Sequence, residues 1–223
     1  MKKIIFALLM LFPIYVIAQN GPMIVNYEEI QKFVEEKPDD YNKLYERFVA
    51  ADTTLTTKEA YLAYYGFTCT PKYNGYFHTS KNGIELYEQE KFDEAYSVFK
   101  ASLEENPFSI TTIIKTLVCA QHKSSPDTDM MNKCIFWYRL LNEVLVLSGD
   151  GSAKYPMCII TVEDEYEMLK GYFEASGFDG QALVYVDGHP CDCMSIKHED
   201  GSQEKIYFDV SSVFASYKKL LEE

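Results

Sequence analysis

Apolar residues recur with a helical period over the first two thirds of the chain and with a strand period after it. Asn26-x-x-Glu29 reads as a capping pair that opens a helix over Tyr27 to Lys37, ended by Pro38. After Asp40, the residues Tyr41, Leu44, Tyr45 and Phe48 fall on one helical face. Thr56-x-x-Glu59 is a second capping box, and Gly66 is the expected left-handed stop of the helix it opens. Thr68 to Tyr76 is a loop by its Pro71 and Asn74-Gly75. Two further helical stretches, Ser109 to His122 and Asp127 to Leu147, flank the polar turn Lys123 to Asp129.

Between that loop and those helices, Asn82 to Phe108 places Gly83, Ala95, Phe99 and Pro107 at the spacings of one tetratricopeptide repeat. A small residue at Gly83 lets the paired helix approach, Ala95 faces it, Phe99 fills the groove and Asn106-Pro107 ends it. Ser102 stands where alanine is usual, and the tryptophan position is unfilled. A lone repeat cannot cover its own outer faces, so neighbouring helices or the C-terminal region must do so.

After Ser148-Gly149-Asp150-Gly151 the period shortens. Met157 to Val162 suits a strand, and Glu163 to Ala175 a helix. Gln181–Val186, Cys191–Lys197 and Lys205–Val210 are three short strands separated by Asp187-Gly188 and Asp200-Gly201, which are hairpin signals. Ser211 or Ser212 caps a last helix to about Leu221. The expected fold is α+β: a helical, tetratricopeptide-like region over residues 19–150, then a small α+β region over 151–223 with a three-stranded antiparallel meander. A cleft is expected at the junction of the two.

The first residues alter the picture. Lys2 and Lys3 precede an uncharged, mostly apolar run from Ile4 to Ala18, and Val16-Ile17-Ala18 has small-residue spacing for cleavage before Gln19. Residues 1–18 are therefore expected to be a signal peptide, leaving a periplasmic or secreted protein with no stable membrane anchor. Loss of two lysines and no acids leaves 19 Lys+Arg against 34 Asp+Glu, a formal net charge of −15. Such a surface repels phosphate backbones, so nucleic acid is excluded as a partner.

Several stretches resemble one family. The segment Tyr41 to Phe67, with Asp52-Thr53-Thr54-Leu55 and Tyr64-Tyr65-Gly66, the Gly149-Asp150-Gly151 stretch leading to Glu163-Asp164-Glu165-Tyr166, and Tyr207-Phe208-Asp209-Val210-Ser211 are similar to Domain of Unknown Function 4919. The resemblance covers roughly Asn26 to Leu220. It implies export from a gut-type Gram-negative bacterium and supplies no catalytic residue.

Candidate chemistry is sparse. Tyr61, Tyr64 and Tyr65 on one short helix could floor a site for a sugar or peptide, or could pack inward with their hydroxyls at the core edge. His189, Cys191 and Cys193 share one face of a strand and could offer one nitrogen and two sulfurs to zinc, although no fourth ligand is evident. Met194 and Ile196 mark the other face as the core side. Cys119 and Cys134 lie at similar distances either side of the Lys123–Asp129 turn and could form a disulfide if their helices run antiparallel. A Cys–His nucleophile would pair Cys193 with His198 or Cys69 with His78, but nothing local specifies either. The acids Glu163, Asp164, Glu165 and Glu167 sit at a helix start, where they suit the dipole. No cofactor is implied. The leading reading is a non-enzymatic module binding a protein or peptide partner; the alternatives are a glycan-acting or glycan-binding protein and a metal or redox site at the Cys191/Cys193 strand.

Overall fold

Side-chain caps set where the helices begin. In the computed structural model, which describes residues 21–222, Asn26 accepts from the Glu29 N–H and opens α1, Tyr27–Glu36. The expected signal segment, residues 1–18, lies outside the described residues. Pro38 does not merely end α1; it stands in the first turn of α2, Pro38–Val49, where its missing N–H costs nothing. Thr56 and Glu59 form the expected capping box of α3, Thr57–Phe67. Ser80, Ser109 and Asp127 cap α4 (Lys81–Glu88), α6 (Ile110–His122) and α7 (Thr128–Ser148) in the same way. α5 spans Phe92–Glu105.

Gly66 is not a left-handed stop. It lies inside α3, and a Cβ placed there would come within 2.6 Å of the Tyr41 ring and 3.1 Å of Val34. It is a contact glycine, absent of side chain so that α1 and α2 can close on α3. Gly83 plays the expected part in the next hairpin, where a Cβ would lie 2.6 Å from the Phe99 ring. Helices α4 to α7 pack consecutively, each against the next.

The C-terminal part is α+β as expected, with one strand more in its sheet than the meander. β2 (Gly177–Val186), β3 (His189–Lys197) and β4 (Gln203–Asp209) run antiparallel, while β1 (Met157–Cys158) joins β4 in parallel, giving the order β1-β4-β3-β2. The sheet is therefore mixed. α8, Val162–Gly171, links β1 to β2, and α9, Ser211–Glu222, follows β4.

The two parts share a core. One apolar cluster runs from Phe48, Tyr64 and Phe108 through Trp137 and Leu141 to Met157, Met194 and Phe208. A smaller one, with Ala95, Phe99 and Cys119 at its centre, lies between α5 and α6. Among the described residues no helix is long and apolar enough to cross a membrane.

These contacts fix the effect of side chains at two glycines. Gly66→Val forces the buried Tyr41 ring to move and should cost about 2–3 kcal/mol in urea unfolding. Gly180→Val, with nothing within 4 Å of its Cβ, should stay within about 0.5 kcal/mol of the parent.

Candidate functional site

The tyrosines of α3 form no open platform. Tyr61 is 4% exposed, and Tyr64 and Tyr65 are fully buried. Their rings pack edge-to-face, with Tyr61 and Tyr64 centred 4.7 and 4.9 Å from Tyr65. The Tyr65 hydroxyl donates to the Cys158 carbonyl at 2.8 Å, and the Tyr64 hydroxyl lies 3.4 Å from the Ile160 N–H and 3.5 Å from Asp164 Oδ2. Burial pushes both phenols far above their ordinary value. Of the two readings open for these tyrosines, burial supports inward packing over a ligand floor, and they form a structural clamp between α3 and the Cys158–Ile160 segment.

The motif before α3 has a partner that its spacing did not disclose. Arg47 of α2 holds Asp52 at 2.7 Å and Glu59 at 2.6 Å, while Asp52 Oδ1 accepts from the Thr54 N–H and hydroxyl. Asp52-Thr53-Thr54 thus shapes the α2–α3 turn.

His189, Cys191 and Cys193 do share one face of β3, yet they do not converge. His189 is exposed, with Nδ1 3.6 Å from Asp209 and 3.2 Å from the Ser211 hydroxyl. Cys191 and Cys193 are buried, 0% and 7% exposed, on a strand that α9 contacts. Burial, reinforced by Asp209, pushes the Cys191 thiol up to about 12. Among the described residues, no group of three or more His, Cys, Asp or Glu side chains is placed to hold a metal ion.

The other thiols are equally quiet. All six cysteines are free; Cys119 and Cys134, the expected bridge, are buried in different apolar clusters. Burial raises Cys119 to about 11 and Cys134 to about 12, and raises Cys69 as well. His78 faces Glu163 and His198 faces Glu204, so neither histidine is engaged with a thiol.

The acids that open α8 divide into two kinds. Glu163 accepts from the Thr79 N–H and hydroxyl, and Asp164 from the Ile110 N–H at 3.2 Å, so each closes a chain turn elsewhere in the molecule. Burial raises Asp164 to about 7. Glu165 is different: it is fully buried, neither oxygen accepts from a donor, and the group it faces is the Asp192 carboxylate. Burial first, and then the charge of Asp192 on β3, push it up to about 9. Asp192 accepts from Gln181 at 2.7 Å.

An open cleft of about 420 Å³ lies within the helical half. Phe67 and Phe77 contribute apolar wall, Lys72, Asn74, Glu104 and Glu105 polar wall, and Asn106 is turned in to cap the Phe108 N–H at 3.1 Å. At the junction, the buried rings of Tyr64 and Tyr65 pack with their hydroxyls on Cys158 and Ile160. Glu104 and Glu105 sit in the last turn of α5, which has no basic residue, at the negative end of the helix dipole. Nothing in the α5 periodicity marks these carboxylates as cleft residues. Only the fold of the 68–79 loop brings Lys72 and Phe77 opposite them.

The architecture is thus a layer of consecutive helices sharing its core with a mixed four-stranded sheet. The model of one family, described as a domain of unknown function (DUF4919), matches residues 28–219, and the chain belongs to that family. No curated protein and no solved structure matches the chain.

Two measurements follow from the buried groups. Tyr65→Phe strands the Cys158 carbonyl and should lower stability by about 1–2 kcal/mol with little change elsewhere. Glu165 keeps its proton to about pH 9 when folded and releases it near its ordinary value of 4.5 when unfolded. Between those values the folded state binds the extra proton, so this group's contribution is full below about pH 4.5 and falls as pH rises towards 9. Denaturation across that range should show Glu165→Gln stabilised by about 1–3 kcal/mol at pH 8 and a flatter pH dependence than the parent.

Proposed function

We propose that the protein is an exported, non-enzymatic module that binds a peptide segment of a partner through the cleft at the end of α5. The observation that carries this reading is the pair Glu104–Glu105. The two carboxylates stand at the negative end of the helix dipole, where the last turn of α5 has no basic residue, and Lys72 lines the same cleft. A lysine or arginine side chain from a partner would meet two carboxylates against that single positive charge, laying its aliphatic stem along Phe67 and Phe77.

The helical context supports the same class. Gly83, Ala95, Phe99 and Pro107 keep the spacing of a tetratricopeptide repeat, and Gly83 meets Phe99 as such a hairpin requires. Helices stacked in this manner present peptide-binding surfaces in repeat proteins. The raised thiols and the histidine–carboxylate pairs favour binding over nucleophilic chemistry. Export is supported by Lys2-Lys3, the apolar run to Ala18 and the Val16-Ile17-Ala18 spacing.

Selection of displayed, unstructured peptides against the purified protein tests this. Enriched sequences should carry Lys or Arg beside an apolar residue and bind less tightly as salt rises. Combining Glu104→Gln with Glu105→Gln should weaken them about tenfold or more while leaving the thermal transition in place. No enrichment, together with turnover in a broad hydrolase screen, would overturn the reading.

A further inference from the structure

β2 is an edge strand of the sheet, and its outer side has no protein partner among the described residues. Which backbone groups it leaves open follows from its neighbour. Tyr185 lies opposite Pro190, which has no N–H and whose carbonyl is turned the other way to accept from Val210 at 3.0 Å. The N–H and C=O of Tyr185 therefore point away from β3, and the two-residue period gives Leu183 and Gln181 the same orientation. These three residues offer a ladder of donors and acceptors with nothing to fill it.

Natural sheets usually blunt such an edge with lysine, proline, a bulge or a covering segment. Among the described residues, the device present on β2 is the irregularity between Phe178 and Gly180, at one end. From Gly180 to Val186 the strand is Gly-Gln-Ala-Leu-Val-Tyr-Val, without a charge or a proline, in a chain of formal net charge −13. Its side chains are also left open. Leu183 is 48% and Tyr185 69% exposed, and they lie on the face of Phe178, which packs on Tyr166 of α8 with ring centres 6.2 Å apart.

We propose that β2 pairs with β2 of a second copy of this chain, antiparallel about a two-fold axis at Leu183, joining two four-stranded sheets into one. The strand itself argues for a second copy. With Leu183 opposite Leu183 of the other copy, Gln181 meets Tyr185, Ala182 meets Val184 and Gly180 meets Val186. No charged residue falls in this ladder, and every open backbone group of Gln181, Leu183 and Tyr185 finds its complement. The register stops where it should. Beyond it on one side is Asp187, and on the other the bulged Asp179, which Lys197 holds at 2.6 Å and Gln203 at 3.0 Å. The exposed rings of Tyr166, Phe178 and Tyr185 from both copies then lie on one continuous face, since a two-fold perpendicular to the sheet keeps like faces together. The same acidic surface that keeps copies apart elsewhere leaves this strand as the place where they can meet. The inference concerns the sheet edge and does not depend on the cleft of α5.

Sedimentation equilibrium of the purified protein, from about 1 to about 500 µM, is the test. The expected result is a reversible monomer–dimer equilibrium within that range. Leu183→Pro removes an N–H that the monomer does not use, so it should abolish the dimer while leaving circular dichroism and melting unchanged. Leu183→Lys, which sets like charges opposite each other across the axis, should do the same and serves if the proline variant misfolds. Val184→Pro removes an N–H bonded to β3 and should instead lower the melting temperature. A parent protein that stays monomeric throughout, or a dimer that survives Leu183→Lys, overturns the proposal; a heterologous strand would then be the occupant of this edge.

Discussion

The short backbone segment after Ser148, from Met157 to Thr161, constrains the whole molecule. Ile159 and Ile160 are fully buried, and β1 is only two residues long, so a sheet ladder can satisfy few of the segment's polar groups. The remainder are met by side chains from far away in the chain. Tyr65 takes the Cys158 carbonyl and Tyr73 the Ile160 carbonyl, the Ile160 N–H reaches Tyr64, and the Ser148 hydroxyl accepts the Cys158 N–H. An unpaired backbone group in a dry interior costs about as much as a lost hydrogen bond, so these hydroxyls are the condition on which the segment can be buried at all. Phenylalanine would fill the same volume and leave the carbonyls unmet. This is why α3 carries tyrosine, and why its aromatic face is turned to the sheet and closed to ligands.

From that clamp the other layers take their places. Asp164, four residues beyond Ile160, receives the Ile110 N–H and so holds the start of α6 against the start of α8. Trp137 of α7 donates to the Phe48 carbonyl at 2.6 Å and ties α2 to the same core. Gly66 then lets α2 lie close on α3. The common theme is a backbone or side-chain polar group buried together with its partner, joining elements distant in sequence.

That distance decides how much of the molecule could be read beforehand. Caps, hairpins and the period change are local: Thr56 with Glu59, or Asp187-Gly188 between β2 and β3, needs only neighbours a few residues away. The Tyr65–Cys158 bond links residues 93 apart, and no pattern within α3 distinguishes a buried clamp from an exposed floor. Gly66 followed the same logic; a glycine near a helix end suggests a stop until the Tyr41 ring is seen against it. The alternation of β3 was legible, with Met194 and Ile196 on the core side. That Cys191 and Cys193 are buried too depends on what packs over their face, which is a tertiary fact. The α5 cleft escaped for the same reason, since its wall comes from α3, the following loop and the end of α5.

What the fold leaves uncompensated separates surface chemistry from architecture. The acids of α8 and those of α5 are the same residue types at opposite dipole ends. Glu163 and Asp164 stand where the helix welcomes negative charge and each accepts a backbone N–H, whereas Glu104 and Glu105 crowd the end that repels it. The β2 edge is likewise a strand that breaks the usual rule for edges without an internal remedy. Both exceptions are exposed, and they share no residue, so occupancy of one leaves the other free. A pair of chains joined at β2 would carry two α5 clefts, and a contact too weak to hold through one cleft gains by the effective concentration of the second. Against dilute partners, that coupling would give the sheet edge a consequence for binding that neither surface has alone.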